Sequence, residues 1–259
     1  MGAVNSTTPP VLHGISHGTS SVAGQRAVQG LIGAVAALDP TVEVRLGHVD
    51  VQQPDVAAGF AAEAVGTPVV VVPLLLSAGY HVKVDLHRAL AAEQAETARP
   101  VRLAAALGPA AELIEVLAQR LGEAGLGDHD SIVLAAAGSS DPTAVEDCRR
   151  IGEQLSRHLG RAVTIGFLSA AEPRLPAAVE RARAARSHAR VIVSSYLLAP
   201  GYFQDLAAAA GADVITAPLL RPDHTPPALA RLVLRRYRTA AAALALASTD
   251  SVLDQLEVV

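Results

Sequence analysis

The chain has 259 residues, 51% hydrophobic and 18% charged, enough for one large domain or two of ordinary size. A net charge of −4, 3% aromatics and no tryptophan argue against a nucleic-acid surface, which needs a basic field and stacking platforms. The lone Cys148 excludes a disulfide framework and a Cys-based zinc site, and apolar runs such as 69–76 are too short to span a bilayer. No charged segment followed by an apolar one opens the chain, so the expectation is a cytoplasmic protein with no membrane and no nucleic-acid partner.

Short apolar runs alternate with longer amphipathic stretches. Strands are expected at 10–16, 42–50, 68–76 and 100–106, then at 131–137, 162–168, 189–198 and 212–217. Between them helices are expected at 20–38, 54–65, 82–96, 109–124, 142–159, 173–187, 202–210 and 225–247. Ser20 and Asp141-Pro142 supply start signals, and residues after about 247 turn acidic and read as a tail. The runs VVVVPLLL and VIVSSYLL are apolar on both faces, as parallel strands covered by helices must be. The alternation predicts βαβ units and a doubly wound α/β fold.

The order repeats at a domain-sized period. HGTSS answers to AGSSD, VDVQQPDV to LSAAEPRL and LLLSAGYH to LLAPGYFQ. The offsets are near-constant: 138 − 18 = 120, 173 − 54 = 119 and 203 − 81 = 122. A tandem duplication follows, with lobes at 1–124 and 125–259 joined through GEAGLGDHD at 122–130. A duplicated chain makes within itself the interface a single copy would need a dimer for, so a monomer is expected.

Open parallel sheets place ligands at the carboxyl ends of their strands. Three turns of the first half fall there: His17-Gly18-Thr19-Ser20, Asp50 and Gly79-Tyr80-His81. At the matched positions the second half has Ala137, Ser169 and Phe203. The backbone-forming residues persist while every metal-capable side chain at these points is missing from one copy. Histidines needed only for folding would be needed in both. Two imidazoles and a carboxylate suit a divalent first-row metal, and neutral imidazoles also accept protons. The HGTSS turn adds N–H groups and hydroxyls at a helix start, a seat for a carboxylate. Lys83, the chain's one lysine, and Arg26 and Arg88 are candidates for further carboxylates, and Asp85 stands one helical turn after His81. The other histidines are read as structural: His13 lies inside strand one, His48 points to the face opposite Asp50, His87 falls on the helix after His81, and His129, His158, His188 and His224 have no partner that the sequence places. Neither a P-loop nor a dinucleotide fingerprint is present, so no nucleotide is expected.

These residues resemble the sirohydrochlorin/cobalt chelatase family, the ATP-independent class II chelatases. SHGTSS is similar to that family's Gly-His-Gly-Ser turn, with Ser16 in place of glycine and Thr19 in place of serine. PLLLSAGYHVKVDL, 73–86, resembles its second histidine motif, and Asp50 in VDVQQP occupies the place of a frequent glutamate. The resemblance covers both halves, the second in degenerate form. It implies two tandem flavodoxin-like lobes, each a four-stranded parallel sheet with helices on both faces, and a cleft between them. It further implies that His17 and His81 bind metal and remove pyrrole protons, with Asp50 a third ligand. Gly18, Thr19, Ser20, Tyr80 and Lys83 then meet a tetrapyrrole, with Tyr202 and Phe203 offering apolar surface. The expected activity is that of a lyase inserting Fe²⁺ or Co²⁺, the metal being a substrate, on a route to siroheme or cobalamin. Arg174 and Arg221 of the second half are candidates for substrate carboxylates. The competing reading is a cytosolic metal or tetrapyrrole carrier without turnover. A histidine phosphotransfer enzyme rests on His17-Gly18 alone and lacks an arginine before the histidine.

Overall fold

In the computed structural model, which describes residues 9–77, 80–185 and 188–256 without the side chains of 80–83 and 248–256, strands and helices alternate throughout. The apolar runs become the central strands. Val69–Pro73 (β3) buries all five of its residues, and Val11–Ser16 (β1) and Val191–Tyr196 (β7) bury all six. Ser131–Ala136 (β5) is buried from its second residue on. Val44–His48 (β2) and Val163–Phe167 (β6) begin half-exposed, and Val101–Leu103 (β4) and Val214–Ile215 (β8) are short, as suits sheet edges.

Two four-stranded parallel sheets result, in the orders β2-β1-β3-β4 and β6-β5-β7-β8. This is the flavodoxin-like order, twice. The helices are Val22–Leu38 (α1), Val56–Ala61 (α2), Tyr80–Thr97 (α3), Ala111–Glu123 (α4), Pro142–Leu159 (α5), Leu175–Ala185 (α6), Tyr202–Ala208 (α7) and Pro227–Leu256 (α8). Ser21, one residue later than the predicted start, caps α1 by accepting from the Gly24 amide. Asp141 does the same for α5 through the Thr143 amide, with Pro142 in the first turn and Gly160 closing the helix in left-handed conformation.

Two expectations need correction. The strands end at Pro73 and Tyr196, so Leu74–Leu76 and Leu197-Leu198 leave the sheets although they continue the apolar runs. And α8 continues to Leu256 where the sequence suggests an acidic tail. AAAALALA at 240–247 is made of the two strongest helix formers, and no glycine or proline follows Pro227 within the helix.

Each outer sheet face is covered from its own half: α2, through Phe60, and α3 over Ile15, Val69 and Val71, α6 and α7 over Val133, Val191 and Val193. The inner faces are different. Helix α8 packs on α1, β3 and β4 of the first half, while α4 packs on α5 and β7 of the second. The halves therefore exchange their last helices and share one continuous core, from Leu12 and Val72 through Leu113 and Leu134 to Leu229 and Val233. Reciprocal arginines reinforce the exchange. Buried Arg120 on α4 donates to the carbonyls of Pro218 and Leu219, and Arg236 on α8 to those of Leu107 and Pro109. Among the described residues no helix is long and apolar enough to cross a membrane.

Candidate active site

In both sheets the strand order reverses between two neighbours, β1 and β3 or β5 and β7. The loops leaving those carboxyl ends run apart and leave a crevice. The four loops face one another across the halves and enclose a cavity of about 550 Å³, lined by 16–20, 74–77, Ala137 and Gly138, and 197–203. The leucines that leave the sheets form its walls. They are joined by Val28 from α1, Cys148 from α5 and Tyr196 from β7. The Tyr196 hydroxyl donates to the Leu76 carbonyl at 3.1 Å, tying the halves together in the cavity wall. Tyr202, 72% exposed, and Phe203 stand at the cavity with ring centroids 5.8 Å apart.

The turn at His17 continues the β1–β2 ladder. Val49 N–H donates to the Ser16 carbonyl at 2.9 Å and Asp50 N–H to the His17 carbonyl at 3.0 Å. Gly18 has φ +95°, and a Cβ there would overlap the Asp50 carbonyl oxygen, so only glycine passes this close. The second half repeats the construction. Leu168 and Ser169 N–H donate to the carbonyls of Ala136 and Ala137 at 2.9 and 2.8 Å, and Gly138 at φ +89° faces the Ser169 carbonyl.

The side chains around the two turns diverge. In the first half the Thr19 amide donates to Gln52 Oε1 and Gln25 Nε2 donates to the Thr19 carbonyl, both at 2.9 Å. The matched residues are Ala171 and Val145. Ser16 Oγ lies 2.8 Å from His48 Nδ1 with both residues buried, and burial holds the His48 pKa below its ordinary value. The second half has Ala136 and Phe167 there. A buried, hydrogen-bonded His48 agrees with its reading as a structural residue; its partner Ser16 was not named as such from the sequence, although the internal comparison extended to positions 16 and 48 shows both polar side chains missing from the second half.

The predicted site residues divide. His17, Gly18, Thr19 and Ser20 line the cavity, His17 as an exposed side chain. Asp50 is exposed and outside the lining, its Oδ1 accepting from the Val51 amide at 2.7 Å, although Val51 itself lines the cavity. Tyr80, His81 and Lys83 belong to the first turn of α3, and their side chains lie outside the described part. Asp85 is exposed with Arg88 at 4.0 Å. Arg26, Arg88 and Arg174 do not line the cavity, and neither does Arg221, which pairs with Glu123 at 3.5 Å and Asp223 at 3.6 Å. Among the described residues no three metal-capable side chains cluster.

Among the described residues the lining offers one imidazole, backbone amides and hydroxyls at one end of an apolar cavity, with aromatic rings beside it. That suits a flat apolar molecule with a polar centre.

No curated protein matches the sequence. Solved structures do share the fold. SirB from Bacillus subtilis with Fe³⁺ is 20% identical over 90% of this chain and 96% of its own, with a TM-score of 0.75. The sirohydrochlorin chelatase SirB from Bacillus subtilis subspecies spizizenii in complex with cobalt is 18% identical over the same shares, at 0.68. A CbiX described as the terminal enzyme for biosynthesis of siroheme in denitrifying bacteria is 22% identical over 87% of this chain and 98% of its own, at 0.60. The model of the CbiX family matches twice, at 12–124 and at 131–240, once for each sheet and the helices that follow its strands. Both halves, and with them most of the sequence, are accounted for, and the chain belongs to the CbiX family.

Proposed function

We propose that the protein is an ATP-independent chelatase that inserts Fe²⁺ or Co²⁺ into sirohydrochlorin or a closely related tetrapyrrole. The observation that carries this reading is His17, seated at an apolar cavity on a turn whose duplicate has the same backbone and no histidine. Family membership and structural likeness to chelatases with iron and cobalt support it.

Insertion exchanges one divalent cation for two pyrrole protons, so two N–H bonds break and four metal–nitrogen bonds form, two of them to the nitrogens that lost protons. The protein must deliver the metal, accept the protons and hold the ring. His17 and His81 take the first two tasks, because a neutral imidazole nitrogen is both a metal ligand and a base. Asp50 is the third proposed ligand. Gly18, Thr19 and Ser20 present the start of α1 to a ring carboxylate, and Tyr80 and Lys83 meet the substrate from the second motif. The leucine walls, Tyr202 and Phe203 cover the apolar ring faces. The protein acts as a cytoplasmic monomer on a route to siroheme or cobalamin.

Anaerobic absorbance assays with sirohydrochlorin and Fe²⁺ or Co²⁺ test this. Wild type is expected to exceed the spontaneous rate, and His17→Ala and His81→Ala each to lose roughly 100-fold. Wild-type-like rates in both variants would overturn the residue roles. Tight Co²⁺ or tetrapyrrole binding with no insertion would make the protein a carrier.

A further inference from the structure

Ser16 and His48 form a buried polar pair that the proposed chemistry leaves unused. They end β1 and β2, sit opposite each other in the parallel register, and are each 4% exposed. Ser16 also lines the cavity beside His17. Its hydroxyl is thus held by an imidazole of the neighbouring strand, in a residue that forms part of the cavity wall.

The second half shows that the fold does not need this pair. Ala136 and Phe167 occupy the same register, Phe167 is fully buried, and the ladder bonds beyond them match those of the first half within about 0.2 Å. An apolar pair therefore builds the same strand ends without the desolvation cost of a hydroxyl and an imidazole. The polar version stands only in the half that carries His17.

We propose that Ser16 contacts the metal–macrocycle centre through its hydroxyl, and that His48 is a positioning residue fixing that hydroxyl for the task. The proposal rests on the chelatase reading of the cleft. A serine hydroxyl rotates freely and carries one donor and two lone pairs. The 2.8 Å bond to His48 Nδ1 fixes the rotor and leaves the remaining capacity for the cavity. A group oriented in advance pays no reorganisation cost when the ring nitrogens arrive.

The test is a coupling experiment in the full-length protein, with sirohydrochlorin and Co²⁺ as probes and His17→Ala assayed alongside. Ser16→Ala, His48→Phe and the double variant, which installs the second half's own residues, should each lose roughly 10-fold in kcat. The double variant should lose no more than either single one, with far-UV circular dichroism unchanged. His48→Asn keeps a short polar side chain and should recover part of the rate when Ser16 is present and none when it is alanine. Ser16→Ala removes one oxygen, so it tests the idea even if the phenylalanine variants fold poorly. An active wild type and an inactive His17→Ala with Ser16→Ala within twofold of wild type would overturn this proposal alone. So would losses that multiply in the double variant. A wild type with no insertion above the spontaneous rate would overturn the chelatase reading and this proposal with it.

Discussion

Cys148 stands on α5 where the first half has Val28 on α1, at an offset of 148 − 28 = 120, and both side chains line the cavity. Burial pushes its thiol up from an ordinary 9.0 to about 11. The thiolate is the reactive form, so at pH 8 the folded protein should label slowly with Ellman's reagent, at the rate of structural opening. The sign of the pH effect is fixed by the unfolded chain ionising first. The thiol's contribution is complete below about pH 9 and is lost as pH rises towards 11. Cys148→Val should keep activity and lose less stability than wild type between pH 9 and 11, measured by thermal melts. Fast labelling at pH 8, or loss of metal insertion in the variant, would show that the thiol works in the cavity. The place of His17 at the cavity was legible in the sequence because it follows a strand's carboxyl end and is missing from the duplicate. Ser16 and His48 were not, because residues 32 apart become partners only when β1 and β2 pair in register. Asp50 follows the second strand as His17 follows the first, yet it stands outside the cavity lining, because a side chain's direction after a strand ends depends on turn geometry that residue types do not report.

The exchanged helices α4 and α8 make the halves one body, and among the described residues Arg120 is the most buried polar link between them. Its guanidinium donates to Pro218 O at 3.1 Å, Leu219 O at 2.8 Å and Glu123 Oε2 at 2.8 Å, with its side chain fully enclosed. Arg120→Met fills a similar volume but leaves two buried carbonyls without their donor. A loss of roughly 3 kcal/mol is expected, read as a lower urea midpoint at unchanged slope. A loss under about 1 kcal/mol would mean that water takes over the carbonyls. The existence of these helices was legible from their apolar spacing, and the central strands from runs such as VVVVP. Which sheet a helix covers was not, since an amphipathic face names no partner. The strand ends were overrun for a related reason: Leu74–Leu76 are as apolar as β3, and a cavity wall and a buried strand ask for the same residues.

At the scale of the molecule, the exchange means that neither half carries its own complete core. A fragment 1–124 retains β1 to β4 but loses α8, which covers the inner face of β3 and β4. It also retains α4, whose apolar residues Leu113, Ile114, Val116 and Leu117 are buried in the core shared with the missing half. Both deficits disappear if two copies of the fragment exchange α4, each covering the other's sheet as α8 does in the whole chain. The fragment is therefore expected to aggregate or to run at twice its chain mass by light scattering, and a 1:1 mixture with 125–259 to form the mixed pair in preference. The intact chain, with one continuous core across both halves, should unfold in a single transition whose midpoint is the same by circular dichroism and tyrosine fluorescence. A soluble, cooperatively folded monomer of 1–124 would show that each sheet closes its own core. The cleft would then lie between two independent bodies able to move apart, and the fixed spacing of His17 from the 197–203 loop across the cavity would cease to be a property of the fold.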